Sequence, residues 1–121
     1  MGNQKELVSI GMPVYNGEEF LRQALDSLLS QSYKNFELII SDNASTDGTQ
    51  KICEEYIARD KRIRYIRQNE NIEELNFEFV LKEARGNYFM WVSDDDVWDS
   101  RFVEECIKRF NTDKGLSLIH I

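Results

Sequence analysis

Four short apolar runs alternate along the chain with stretches in which apolar residues recur at helical spacing. Short runs rich in β-branched and aromatic residues are typical of buried strands, whereas a period of 3.6 residues indicates amphipathic helices. The predicted strands are residues 7–12, 36–41, 63–67 and 88–92. The predicted helices follow them and are marked by the apolar residues between 20 and 29, 52 and 57, 75 and 84, and 102 and 110.

Strict alternation of strands and helices with short connections predicts an α/β domain, in which a parallel sheet carries helices on both faces. If three strands wind in one direction and the fourth returns beside the first, the strand order is 3-2-1-4. Ligands of such sheets bind beyond the carboxyl ends of the strands, at the point where the winding direction switches. We therefore expect a site beyond the ends of the first and fourth strands.

Two local signals set the expected boundary between the first strand and the first helix. Pro13, the only proline, has no N–H to donate to a strand ladder, so the strand is predicted to end before it. Asn16 followed by Glu19 predicts a capping box at the start of the helix.

Three consecutive carboxylates, Asp94, Asp95 and Asp96, follow the aromatic strand, between Trp91 and Trp98. Adjacent carboxylates raise one another's pKa values, so the cluster needs either full exposure to solvent or a cation. Mg²⁺ and Mn²⁺ favour carboxylate oxygens and bridge to substrate phosphates. The position at the mouth of a buried strand favours a divalent metal over a solvated acidic turn.

Length and composition restrict the function further. The chain has 121 residues, 41% of them hydrophobic, and a formal net charge of −7. It is therefore expected to be one domain that is not attracted to nucleic acid or anionic membranes. No apolar run is long enough for a membrane span, and the first residues lack the apolar core of a signal peptide, which favours a cytoplasmic location. Neither a dinucleotide-binding glycine motif nor a P-loop is present.

Three segments, residues 8–16, 36–49 and 86–98, resemble the family 2 glycosyltransferases in their order and spacing. That resemblance implies the GT-A fold, a Rossmann-like sheet. It also implies inverting transfer of a sugar, expected to be UDP-linked, from a nucleotide-sugar donor to a hydroxyl of a saccharide or lipid-linked acceptor. Polysaccharide biosynthesis in the cytoplasm, including the inner face of the membrane, is the expected setting.

The resemblance also implies roles for individual residues. The end of the first strand would wall the nucleotide, and Asp42, which closes the second strand, would hydrogen-bond the base. Asp94 matches the position that contacts ribose, and Asp95 matches the metal ligand that meets the diphosphate; a register shift of one would bring in Asp96. The residues implied to bind the nucleotide-sugar are Pro13, Val14, Tyr15, Asn16, Asp42, Asp94 and Asp95.

The sequence departs from the family pattern in two places. Ser93 replaces the first acid of the aspartate motif, and the glycine often found before the third helix is absent around residues 72–74. The general base of the family lies in the second half of its domain. We therefore expect residues 1–115 to be a truncated, donor-binding part that is inactive by itself.

An apolar hexapeptide, residues 116–121, follows the last helix and its terminating loop. We expect it to be a non-native tail, because it resembles the translation of a transposon end and has nothing left to pair with. A fifth strand is the alternative, since periodicity does not exclude it.

Two other functions fit the composition and the order of elements. The first is a domain that binds a nucleotide-sugar and metal without turnover, which a turnover assay would distinguish. The second is a phosphoacceptor receiver domain of similar length. A receiver needs an acidic pair after the first strand, where this chain has residues 12–16 without an acid.

Overall fold

A computed structural model of the chain describes residues 6–112 and 119–120. Five strands form one sheet in the order β3-β2-β1-β4-β5. Strands β1 to β4 are parallel to their neighbours, and β5 runs antiparallel to β4. The elements are β1 (Val8–Val14), α1 (Glu18–Leu29), β2 (Phe36–Asp42), α2 (Thr49–Arg59), β3 (Ile63–Arg67), α3 (Leu75–Glu83), β4 (Tyr88–Trp91), α4 (Phe102–Thr112) and β5 (Ile119–His120). The predicted order 3-2-1-4 is confirmed.

Helices cover both faces of the sheet, as the alternation of elements predicts. Helices α1, α2 and α4 share the larger apolar core, with Leu25, Cys53 and Ile107 among its buried members. Helix α3 packs on the opposite face, where Val80 contacts Ile39 and Phe89. Burial on both faces explains the nearly continuous apolar character of β1 and β2.

Strand β1 continues through Pro13 to Val14, so the predicted end before the proline is wrong. Pro13 pairs with Ser41 of β2. On the other side of β1, strand β4 is paired with β1 only as far as Gly11. The carbonyl oxygen of Gly11 accepts a hydrogen bond from the Val92 N–H. Backbone polar groups of successive residues in a strand point to opposite sides, so the nitrogen of Pro13, like the backbone of Gly11, points towards β4. At Pro13 the pairing between β1 and β4 has already ended. The missing N–H therefore removes no ladder hydrogen bond.

The backbone of Ile119 and His120 pairs with β4, opposite Phe89 and Tyr88. This is the arrangement of the fifth-strand alternative. Residues 116–118 and 121 lie outside the described part of the chain, and the origin of the hexapeptide stays a prediction.

None of the helices in the described ranges is long and apolar enough to cross a bilayer.

Gly86 lies just before β4 and packs closely against Leu7 and Ser9, at the start of β1. A Cβ atom on Gly86 would collide with the carbonyl oxygen of Leu7 and come within 2.9 Å of Ser9 Oγ. The Gly86 N–H donates to that hydroxyl over 2.8 Å. The close approach, and not a left-handed conformation, makes glycine necessary here.

We predict that Gly86→Ala lowers the free energy of unfolding by about 1–3 kcal/mol, because the backbone of Leu7, directly before β1, would have to move. Gly48→Ala is the matched control, since its Cβ would meet only the flexible Glu18 side chain at 3.3 Å. Urea unfolding of both variants measures the difference. A loss for Gly86→Ala no larger than that for Gly48→Ala would contradict the close-approach explanation.

Candidate functional site

The loops after β1 and β2 lie side by side at the carboxyl edge of the sheet. The Asn16 N–H donates to Ser45 Oγ over 2.8 Å, and the Thr46 N–H donates back to Asn16 Oδ1 over 2.8 Å. Farther along, the Gly17 N–H donates to Thr49 Oγ1 over 2.9 Å. These hydrogen bonds join the loop after β1, which contains Asn16 and Gly17, to the loop after β2, which contains Ser45 and Thr46. We call the continuous surface at this edge of the sheet the rim.

Asn16 does not cap α1 as its spacing to Glu19 predicts. Helix α1 begins at Glu18, and its N-cap residue is Gly17, which has no side chain to cap it. The Glu18 N–H donates instead to Asp47 Oδ2 of the neighbouring loop, over 3.2 Å. Asn16 has a left-handed φ of 50°, which asparagine tolerates better than most residues. Its side chain contacts the neighbouring loop, so the polar residue stabilises the rim and not the helix end.

Asp42, predicted to contact the base, is fully buried at the end of β2. Its Oδ1 accepts the Ser45 N–H over 2.9 Å. Its Oδ2 accepts the Tyr65 hydroxyl over 2.6 Å and Arg67 Nη1 over 3.2 Å. Both carboxylate oxygens are therefore engaged by the protein, and because the side chain is fully buried, a direct bond to a ligand would require the groups around it to move.

Tyr65 and Arg67 are site residues that sequence reasoning missed. They lie two residues apart in β3, on the face that contacts Asp42. Burial and the hydrogen bond to Asp42 raise the pKa of the Tyr65 hydroxyl. The Arg67 side chain is 35% exposed, and its Nη2 also donates to the Ser45 carbonyl over 2.9 Å. The spacing of two between Tyr65 and Arg67, which puts both on one face of a strand, is the signal that could have indicated a polar face beside Asp42.

Asp94 brings the acidic segment to the same rim. Its Oδ2 lies against Gly17, where a Cβ atom would collide with it. Burial raises the pKa of Asp94, and the nearby carboxylates of Asp95, Asp47 and Asp96 raise it further. The segment thus places a poorly compensated negative charge beside the start of α1.

Asp95 and Asp96 are exposed and share one partner. Ser93 Oγ lies 2.9 Å from Asp95 Oδ1 and 2.8 Å from Asp96 Oδ2. Within the described residues no three acidic, histidine or cysteine side chains form a group that could hold a metal ion. Mg²⁺ often takes only one or two carboxylates and completes its shell with water and substrate phosphates, so the exposed pair fits a metal that arrives with a phosphate ligand.

The remaining residues predicted for the nucleotide wall differ in exposure. Tyr15 is 49% exposed at the rim, whereas Val14 is buried. Pro13 is half-buried within β1. Only the Tyr15 ring therefore offers a broad apolar face to a ligand.

The loop before α3 also reaches the end of β2. The Ile72 N–H donates to Asn43 Oδ1 over 2.8 Å, and Asn43 Nδ2 donates to the Glu73 carbonyl over 3.3 Å. Glu73 has a left-handed φ of 53°. The backbone conformation that favours glycine is therefore kept where the expected glycine is missing.

The family model described as "Glycosyl transferase family 2" matches residues 9–120. A Bacillus subtilis protein named as a teichuronic acid biosynthesis glycosyltransferase, TuaG, is 35% identical over 106 residues; the match covers 87% of this chain and 42% of that protein. The chain spans between 15% and 42% of the length of the curated relatives considered.

Two solved structures share the fold. TarS from S. aureus, in complex with UDP-GlcNAc, is 26% identical with a TM-score of 0.80, and the match covers 88% of this chain and 32% of TarS. The mannosyltransferase PcManGT from Pyrobaculum calidifontis, in complex with GDP-Man and Mn²⁺, is 21% identical with a TM-score of 0.81, and the match covers 87% and 32% of the two chains. The predicted GT-A fold is confirmed.

We predict that Arg67→Met destabilises the fold by about 1–2 kcal/mol, because the buried Asp42 carboxylate loses its cationic partner. The double variant Asp42→Asn/Arg67→Met should regain part of that loss, since no buried charge is then left unpaired. Arg22→Met is the control, because Arg22 pairs with Glu55 at an exposed site and should change stability much less than Arg67→Met. Additive effects in the double variant, measured by urea unfolding, would disprove the coupling.

Proposed function

Because the chain belongs to the family 2 glycosyltransferases, we propose that it forms the donor site of an enzyme that transfers a sugar from a nucleotide-sugar to a hydroxyl acceptor. We propose a UDP-linked donor, inversion at the transferred carbon and dependence on Mg²⁺ or Mn²⁺. The whole protein would use this site together with an acceptor region and a general base. A non-catalytic nucleotide-sugar-binding domain is the alternative, and it predicts binding without turnover.

One observation carries the proposal: the ends of β1, β2 and β4 meet at a single rim. Asn16 is hydrogen-bonded to the loop after β2, and Asp94 lies against Gly17. An aromatic face at Tyr15 and exposed carboxylates at Asp95 and Asp96 therefore belong to one surface. A base and a diphosphate need these two kinds of contact on one surface.

The nucleotide would lie along the β1 and β2 ends. Tyr15 offers a ring on which a base can stack, and Asp94 is assigned to the ribose. Asp42 is assigned to base selection, acting with Arg67, whose side chain is partly exposed while its guanidinium contacts the Asp42 carboxylate. An arginine fixed in this way presents further N–H donors to a carbonyl oxygen of a base.

The divalent metal would be held by Asp95, with Asp96 as the second candidate. When bound, such a metal neutralises charge on the departing nucleoside diphosphate. The carboxylates of Asp95 and Asp96 would hold the metal in position. The phosphates would lie beside Gly17, where the close contact with Asp94 limits the space. The UDP-GlcNAc complex of TarS and the Mn²⁺ complex of PcManGT support a nucleotide-sugar and a divalent metal for this site by likeness of fold.

The setting of the whole protein is also a proposal. The name of TuaG supports a saccharide acceptor and a role in polysaccharide biosynthesis. The reaction is placed in the cytoplasm, where nucleotide-sugars are made.

We predict that Asp95→Asn weakens binding of UDP in the presence of Mn²⁺ by about tenfold or more, because a carboxylate ligand to the metal becomes a neutral amide. Isothermal calorimetry on the chain measures the affinity. Glu78→Gln is the control, since Glu78 is an exposed acid in an intrahelical pair with Lys82. Unchanged Mn²⁺-dependent affinity of Asp95→Asn would show that Asp95 is not the ligand.

Asp42→Asn tests the assignment of base selection. The variant keeps the shape of the side chain but weakens its hold on Arg67, so the ratio of affinities for UDP and ADP should fall about tenfold. Asp60→Asn is a matched control, because Asp60 pairs with Arg62 away from the rim. A selectivity ratio that stays at the wild-type value would exclude Asp42 from base selection.

A further inference from the structure

Ser93 directly precedes the three acids and faces two of their carboxylates at once. Its Oγ lies within hydrogen-bonding distance of Asp95 Oδ1 and of Asp96 Oδ2, at 2.9 Å and 2.8 Å. A serine hydroxyl carries a single proton. It can therefore donate a full hydrogen bond to only one of the two carboxylates at a time, or a weaker shared bond to both.

The serine changes the chemistry of a segment whose family pattern has an acid in its place. A carboxylate at position 93 could accept hydrogen bonds but could not donate one. The hydroxyl removes one negative charge from a run that already contains three acids and supplies the donor that they lack. Asp95 and Asp96 are exposed, and in the described part of the chain their side chains accept no hydrogen bond other than those from Ser93.

We propose that Ser93 is a positioning residue for metal and diphosphate binding, an inference that rests on the proposed function. Its hydroxyl keeps the two carboxylates together while no cation is present. A metal that arrives with the diphosphate would be held by the second oxygen of one carboxylate, while Ser93 would donate its hydrogen bond to the first oxygen of that same carboxylate. Ser93 would thereby fix the orientation of the ligating acid, and either Asp95 or Asp96 could be that ligand.

The physical reason is the cost of ordering two exposed, like-charged side chains. Without a shared donor, Asp95 and Asp96 repel each other and sample separate rotamers, and that freedom must be lost when the metal binds. A hydrogen-bond donor behind a ligating carboxylate is a general means of holding it in its binding orientation. The Ser93 contacts supply that donor in the absence of any ligand.

The proposal is tested by measuring UDP binding to the chain by calorimetry, once with Mn²⁺ and once with EDTA. Ser93→Ala should weaken the Mn²⁺-dependent affinity about fivefold, and the affinity in EDTA should not change. Ser93→Thr keeps a hydroxyl and should restore the affinity to within about twofold of the wild type. Ser30→Ala is the matched control, because the Ser30 hydroxyl only donates to the Asp26 carbonyl at the end of α1.

The two conditions separate positioning from a general structural effect. A structural defect in Ser93→Ala would weaken binding equally with Mn²⁺ and with EDTA, and that result would overturn the proposal. So would an Mn²⁺-dependent affinity equal to that of the wild type. In both cases the wild-type chain still binds UDP and the proposed function stands, whereas a wild-type chain that fails to bind UDP with Mn²⁺ would overturn both.

Discussion

The buried carboxylate of Asp42 is the constraint on which the rim depends. A charge removed from water at the end of a central strand is tolerated only when donors compensate it. Here the donors come from the β2–α2 loop and from Tyr65 and Arg67 of β3. Satisfying one charge therefore fixes the loop after β2, and that loop presents the Ser45 hydroxyl to the backbone of Asn16. The shape of the rim therefore depends on a side chain that is itself fully buried.

Backbone strain is concentrated at the same edge of the sheet. Among the described residues, the non-glycine residues with positive φ are Asn16, Ala44 and Glu73, one in each of the first three strand-to-helix loops. Such conformations are unfavourable by about 1–2 kcal/mol for residues with a Cβ. They persist here because neighbouring contacts hold them, as the Asn43 side chain does for Glu73. Strain of this kind is most often kept where a backbone must face a ligand.

The acids of the rim are divided into compensated and uncompensated groups. Burial raises the pKa of Asp47, but hydrogen bonds from Thr49 and from the Glu18 N–H outweigh it and hold that pKa below its usual range. The pKa of Asp94 is shifted in the opposite direction, mainly by burial. Hydrogen bonds thus stabilise negative charge more at Asp47 than at Asp94. The difference arises from the donors that each acid receives and not from the number of acids in the rim.

Much of the fold was determined by the sequence alone, because burial on both faces of a parallel sheet leaves apolar runs that few other structures produce. The strand order and the meeting of polar strand ends followed from that pattern and from the short connections. The family was likewise indicated by the order of its motifs. These features depend on local residue types, which a sequence displays directly.

Only the tertiary structure decided which partner each polar group has. Nothing local indicates that Arg67 compensates Asp42, that Asn16 serves a neighbouring loop or that Asn76 is buried against Ser41. Pro13 could remain in β1 only because β4 has already ended its pairing there. Each of these contacts joins residues distant in sequence, and whether a donor is needed at a position depends on which strand or loop lies beside it.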